Sequence, residues 1–249
     1  MLVFPISEER INQIMRIALI SDIHGYLLPL EAVLADINRK KVDEIICLGD
    51  VCVLGPQPRE VLARLKSLNC PCIMGNHDFD LLHPDLLHDP LPWIAKVTEW
   101  CADQLSEADF EYLRSFQPFK EISLDAKATL LCFHGSPNSN TDFILSTTPE
   151  AELEKMLAGH TATVMAGGHT HVPMVRRHKS TIIVNVGSVG LPFEQMPFTG
   201  QPSILPWAEY AIIDWVNGVL GIELRRIPID REALVQVMLA SGMPPRTAL

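Results

Sequence analysis

The sequence has no run of roughly 20 consecutive apolar residues, which excludes a membrane-spanning helix; apolar runs such as residues 129–133 and 163–166 are of strand length. It has no excess of basic residues. Lys and Arg total 20 against 30 Asp and Glu, a formal net charge of −10. That balance excludes a surface built to coat nucleic acid, and leaves a small phosphorylated substrate open. Its first fifteen residues contain no basic stretch leading into an apolar one, and carry Glu8 and Glu9 instead, so no secretory signal is expected. The six cysteines (Cys47, Cys52, Cys70, Cys72, Cys101 and Cys132) form no C-x-x-C, and Cys70-Pro71-Cys72 is too closely spaced to close a disulfide readily. They read as buried, reduced thiols of a cytoplasmic protein. Ser/Gly linkers, internal repeats and low-complexity tracts are also missing, which points to one domain over residues 1–249. What is present is globular: 47% hydrophobic and 20% charged residues, enough to bury a substantial core.

Periodicity divides the chain. Residues 16–20 form an apolar run ending in Ser21-Asp22, a strand feeding a polar turn. Apolar positions 30, 33, 34 and 37 repeat at helical spacing within residues 27–41. A second strand, 44–48, closes on Gly49-Asp50. Residues 58–68 are helical, with proline at the start and Val61, Leu62, Leu65 and Leu68 on one face. A third strand, 72–74, ends at Gly75-Asn76. This alternation predicts βαβ units and a parallel sheet. Residues 93–116 read as two helices broken near Ser106. From Phe119 onward strands predominate, at 121–124, 129–133, 163–166, 172–176, 181–185, 208–214 and 219–226, with one helix at 150–157. Asn217-Gly218 between the last two strands signals a type I′ hairpin. The predicted architecture is α/β, two sheets packed face to face with helices outside.

Five polar clusters fall where strand-like runs stop: Asp22-Ile23-His24, Gly49-Asp50, Gly75-Asn76-His77-Asp78, His134-Gly135 and Gly168-His169-Thr170-His171. The carboxyl ends of strands are where open α/β sheets bind ligands. Asp, Asn and neutral His are donors that divalent metals accept, and the glycines allow the sharp turns that aim them. Asp22, His24, Asp50, Asn76, His134, His169 and His171 make seven donors. One metal needs four to six, so seven suggest two metals sharing a residue, with Asp50 the natural bridge. Two adjacent metals clamp the attacking and leaving oxygens of a phosphoryl transfer and lower the pKa of bound water toward neutrality.

In order and content these blocks resemble the calcineurin-like metallophosphoesterases, whose blocks run D-x-H, G-D, G-N-H-[DE], H and G-H-x-H. The likeness extends through Asn185-Val186-Gly187-Ser188. It implies a four-layer α-β-β-α sandwich of two mixed sheets flanked by helices. It implies that Asp22, His24, Asp50 and His171 bind one metal, and Asp50, Asn76, His134 and His169 the other. His77 would be the general acid, oriented by Asp78. The implied cofactors are two divalent ions, manganese first, with iron, zinc, nickel or cobalt as alternatives. Chain length, residues 49–62 and the HGSP at 134–137 look most like the small bacterial and archaeal phosphodiesterase branch.

The sequence departs from the family in two places. Relatives with G-D-x-x-D-R-G carry an Arg after the second block; here residues 49–55 are GDVCVLG, without Asp or Arg at those positions. The missing cation tilts the expectation from phosphomonoester dianions toward diester monoanions. A proline expected in the turn after Asn185 is Val186, which puts that turn's rigidity in question. The expected activity is hydrolysis of phosphodiester bonds in small, nucleotide-like substrates. The alternatives are an asymmetric dinucleoside-polyphosphate hydrolase, a phosphomonoesterase, or an interaction scaffold on the same fold. No stable nucleic-acid or membrane partner is expected; the oligomeric state stays open, with a homodimer one outcome.

The remaining histidines read as structural. His83 and His88 sit in a Pro- and Asp-containing loop, and His160 and His178 read as turn residues. Arg176-Arg177-His178-Lys179 reads as a solvated hairpin turn, with steering of an anionic substrate the alternative. Trp93, Trp100 and Phe110 read as core packing. Phe193, Phe198 and Trp207 flank the presumed site around the Pro-rich loop 191–206; they read as packing, with base stacking the alternative. That loop could serve as an interface or a substrate lid.

Overall fold

The computed structural model describes residues 14–86, 91–194 and 203–245. Strand β1 (Ile14–Ile20) sends Ile17 and Leu19 to one face and Ala18 and Ile20 to the other, and all four are fully buried. A strand covered on both faces must be apolar throughout, which is why this segment reads as an unbroken apolar run. β1 pairs in parallel with β2 (Glu44–Cys47) and antiparallel with β8 (Trp207–Val216), which turns into β9 (Val219–Pro228). Asn217 (φ 52°) and Gly218 (φ 82°) make that turn, the two positive φ values a type I′ turn requires.

The second sheet has the order β3 (Lys120–Ser123), β4 (Thr129–Cys132), β5 (Val164–Gly167), β7 (Thr181–Asn185), β6 (Met174–His178). β4, β5 and β7 run parallel, with antiparallel edges. Between the sheets lie Ile17, Leu19, Ile46, Leu130, Val164, Val184, Ala211 and Ile213. Outside the first sheet, Ala18, Ile20, Tyr210 and Ile212 meet α1 (Leu27–Lys40), α2 (Pro58–Ser67) and α4 (Pro92–Gln104). Outside the second, Leu131, Met165 and Ile183 meet α6 (Glu150–Met156) through Leu153. The result is the expected four-layer sandwich of two mixed sheets. Trp93, Trp100 and Phe110 pack on the first helical layer, as expected.

Four points differ from expectation. The predicted parallel sheet of the first βαβ units is not a sheet of its own, because β8 and β9 return antiparallel to complete the sheet of β1 and β2. Residues 72–74 form only single bridges, Cys47 with Cys72 and Ile73 with Gln117. Pro71 offers no N–H to lengthen that pairing, and the chain turns at Gly75 into α3 (Asn76–Leu82), a helix not foreseen. Its signal was Asp78, three residues after Gly75, whose carboxylate accepts the Gly75 N–H at 3.2 Å. Between α4 and β3 lies α5 (Glu107–Arg114), set off at Ser106 as predicted. A last helix, α7 (Arg231–Ala240), was also unread although Asp230 caps it, accepting from Ala233 N at 3.0 Å. Among the described residues no helix is long and apolar enough to cross a membrane. All six cysteines are buried and free.

Asp36 is buried on α1 and ties it to the sheet. It accepts from Tyr210 Oη at 2.6 Å and from Arg225 Nε at 2.7 Å. Burial opposes its charge, but bonds from Arg225, Tyr210 and Arg39 outweigh this and hold its carboxyl at about 2, below the usual 3.8. A carboxylate so depressed stabilises the fold above pH 4, and the contribution disappears as pH falls toward 2. Asp36→Asn is therefore expected to cost about 2 kcal/mol at pH 7. Urea unfolding should show that gap narrowing at pH 2.5; a gap of equal size at both pH values would contradict it.

Candidate metal centre

Four of the five polar clusters follow buried strands and the fifth opens α3 after the bridged residues 72–74, so the fold brings all of them together. Asp22 and His24 follow β1, Asp50 follows β2, His134 follows β4, and His169 and His171 follow β5; Asn76 and His77 open α3. Five of these, Asp22, His24, Asp50, His169 and His171, have φ between 52° and 66°. Left-handed backbone costs a non-glycine residue of order 1–3 kcal/mol, and such strain concentrates at functional sites. Backbone bonds hold it in place: Asp22 N to Gly49 O and His24 N to Asp50 O, both 2.9 Å. The glycines are required by close approach. A Cβ on Gly75 would lie 2.1 Å from Asp50 Oδ1, and one on Gly168 would lie 2.5 Å from Asp22 Oδ2.

Two groups of donors form. Asp22, His24 and His171 each offer an atom within 4.8 Å of the others, as do Asp50, His134 and His169. Asn76 joins the second group, its Oδ1 3.1 Å from His134 Nε2. Asp50 lies between them: its Oδ2 is 3.7 Å from His24 Nε2 and 3.4 Å from His134 Nε2. Three histidines are anchored alike. Nδ1 of His24, His134 and His171 donates to the carbonyls of Val53 (2.9 Å), Leu48 (2.7 Å) and Leu191 (2.6 Å). A carbonyl only accepts, so the proton sits on Nδ1 and Nε2 is aimed into the site.

The charges inside demand a cation. Asp22, His24, Asp50 and His134 are at most 1% exposed, and among the described residues no Lys or Arg pairs with Asp22 or Asp50. Burial raises the Asp22 carboxyl, but His171 outweighs it and holds the group at about 2. Asp50 is likewise held well below the carboxylate range, burial being overcome by His134 and His77. Burial lowers His24 and His169 to about 3, whereas at His134 the Asp50 carboxylate overcomes burial and raises the ring to about 9. His24 Nε2 and His171 Nε2 meet at 3.0 Å. Asp22 Oδ1, His77 Nδ1 and His169 Nε2 are buried with no hydrogen-bond partner. Converging ring nitrogens, unpartnered buried atoms and ionised carboxylates with no Lys or Arg beside them are a donor set that fits divalent metal ions.

Several other residues differ from expectation. The Asp78 carboxylate, expected to orient His77, makes no hydrogen bond to the His77 ring. Its Oδ2 accepts from Asp50 N (2.7 Å) and Gly75 N (3.2 Å), and its Oδ1 from Val51 N (2.9 Å), so it braces the Asp50 loop. Burial first, and Asp50 second, raise its carboxyl to about 7. His77 Nδ1 stays unpartnered, with the ring 5.5 Å from that of His24. Val186 does not loosen its turn: it is buried and its N–H bonds Gly167 O at 3.1 Å, a bond proline could not make. In the same turn Ser188 Oγ donates to Asp22 O at 2.8 Å, a support that sequence reading missed. His178 ends β6 as a buried residue bonded to Glu150, and Arg176 bonds Glu150 and the Thr148 carbonyl, so neither lies in a solvated turn. His83 is exposed at the end of α3, against Phe79. His88 and Phe198 fall outside the described residues. Trp207 is engaged by Glu209 and lies under the Arg226 guanidinium. Two phenyl rings border the site: Phe193 stacks on His171 (4.3 Å, 27°) and Phe143 on His169 (4.4 Å, 37°).

Comparison with known proteins agrees with this geometry. A crystal structure of a metallophosphoesterase from Sphaerobacter thermophilus matches with a TM-score of 0.72 at 27% identity, covering 92% of this chain and 95% of that one. An uncharacterized protein of Methanocaldococcus jannaschii is 26% identical over 234 residues, covering 92% of this chain and 93% of its own length. A symmetrical bis(5'-nucleosyl)-tetraphosphatase of Hamiltonella defensa is 27% identical over 215 residues, covering 76% of this chain and 75% of its own. The pattern of the calcineurin-like phosphoesterase superfamily domain matches residues 15–202, which span all five polar clusters. The chain belongs to the calcineurin-like phosphoesterase superfamily.

Proposed function

We propose that the protein is a two-metal phosphodiesterase that hydrolyses small, nucleotide-type substrates. The observation that carries this reading is the position of Asp50, whose Oδ2 lies within 4 Å of His24 Nε2 in one donor group and His134 Nε2 in the other. Asp22, His24, Asp50 and His171 would hold one ion, and Asp50, Asn76, His134 and His169 the second. When bound, two such ions supply a water nucleophile active at neutral pH and positive charge for the phosphoryl oxygens. The chain's own residues do the rest. Carbonyl-anchored Nδ1 atoms fix His24, His134 and His171 so that each Nε2 offers its lone pair, and Asp78 holds the Asp50 loop through three backbone N–H groups. His77 gives its proton to the departing oxygen, which makes it the catalytic acid.

A diester monoanion suits a site without an arginine in residues 49–55, and the acid excess of the chain favours small substrates over nucleic acid. Six free, buried thiols accord with a reducing, cytoplasmic setting, and manganese is the expected ion. A second reading, hydrolysis of dinucleoside polyphosphates, is favoured by the likeness to the symmetrical tetraphosphatase. Rates on bis-p-nitrophenyl phosphate, p-nitrophenyl phosphate and a dinucleoside tetraphosphate, each with Mn²⁺, Ni²⁺, Co²⁺ and Zn²⁺, test both. The diester should be turned over fastest. A faster monoester or tetraphosphate would shift the assignment, and inactivity on all three with every metal would favour a scaffold.

A further inference from the structure

The opening of the centre is marked by exposure. Asp22, His24, Asp50 and His134 form a floor no more than 1% exposed, whereas His171 (6%), Asn76 (7%) and His77 (9%) are slightly more exposed and His169 is more open still. Phe143 flanks the His169 side of this opening and Phe193 the His171 side. Phe193 packs partly against the core of the first sheet, whereas Phe143 is exposed. The segment bearing Phe143 is anchored by its neighbour Ile144, which is 4% exposed in the core of the second sheet, while Phe143 itself is 40% exposed. Phe193 is only partly buried, and is fixed by its N–H on His171 O at 3.3 Å and by its bridge to Ile204. Each phenyl ring thus covers one ligand-group histidine at the border of the centre, and neither ring is fully buried.

The geometry points to Phe143 and Phe193 as specificity-determining residues that stack against planar aromatic ester groups of the substrate, of the nucleobase class. This rests on the phosphodiesterase reading and narrows it. A phosphoryl group seated over the donors carries two organic arms, and each ring flanks one side of the His169–His171 pair. A single open ring matches one planar group in area, and base–aromatic stacking depends little on which base is present. The net charge of −10 disfavours a long polyanion, so the substrate proposed is a small nucleotide.

The test separates recognition of the base from recognition of the phosphate. Inhibition of bis-p-nitrophenyl phosphate hydrolysis by adenosine monophosphate, by an alkyl phosphate and by orthophosphate is measured for the manganese-loaded protein. Phe143→Ala, Phe143→Leu, Phe193→Ala and the aromatic replacements Phe143→Trp and Phe193→Tyr are measured alongside, with metal content determined for each. Removing a ring is expected to weaken adenosine monophosphate about 10-fold. Orthophosphate inhibition and metal content should stay constant. Leu should behave as Ala does, and the aromatic replacements should restore binding. The proposal is overturned if adenosine monophosphate and orthophosphate weaken together, if neither changes, or if the alkyl phosphate binds as tightly as the nucleotide. Should the loaded protein hydrolyse no diester at all, the phosphodiesterase reading fails. Calorimetric titration of adenosine monophosphate and orthophosphate into the same proteins then decides the role of the rings.

Discussion

His77→Ala is expected to keep both metal ions and to lose about 100- to 10,000-fold in turnover of a nucleoside diester, the range ascribed to a positioned general acid. The substitution is clean in this fold. The His77 backbone N–H, which alanine retains, donates to Asp50 Oδ1 at 2.9 Å and so continues to place that carboxylate. What disappears is an imidazole at the opening whose Nδ1 has no protein partner. The loss should be much smaller on bis-p-nitrophenyl phosphate, because p-nitrophenolate departs near neutrality without needing a proton. Comparing the two leaving groups therefore isolates proton donation from a general disturbance of the site. Unchanged turnover of the nucleoside diester, or equal losses on both substrates, would remove the acid role.

Asp50→Asn is expected to be at least as severe, for a different reason. It preserves the shape of the side chain and withdraws the charge that lies between the two donor groups. Supporting residues around a metal typically contribute 10- to 100-fold to affinity or activity, so loss of a shared carboxylate should cost roughly 100-fold or more. Elemental analysis should find fewer than two ions per chain. The backbone bonds of Asp78 to Asp50 and Val51 do not depend on the side chain at position 50, so the loop should keep its course. Retention of two ions with full activity would show that position 50 is not shared.

The donors were legible because each is local to a short block in which an apolar run stops and glycine and polar residues cluster. Their convergence followed from the rule that strand ends gather at one edge. Residues whose partners are distant in sequence were not legible. Asp78 sits beside His77 but bonds Asp50 and Val51, 28 and 27 residues away. Arg176 and His178 looked like a solvated basic run because Glu150, which binds both, precedes them by 26 and 28 residues. Pairing of β1 with β8 joins segments at opposite ends of the described chain, which no local pattern records. Phe143 lies in an irregular segment without periodicity, so only the structure brings its ring onto His169. Helix α3 was hidden by its own chemistry, since Asn76, His77 and Asp78 read as the polar end of a strand.

The most direct test is a titration of metal-stripped protein with Mn²⁺, following bound ions by elemental analysis and diester hydrolysis in the same samples. Seven donors with Asp50 shared predict that activity rises with occupancy and levels off at two ions per chain. Full hydrolysis by the stripped protein, or saturation of both binding and activity at a single ion, would contradict a two-metal centre.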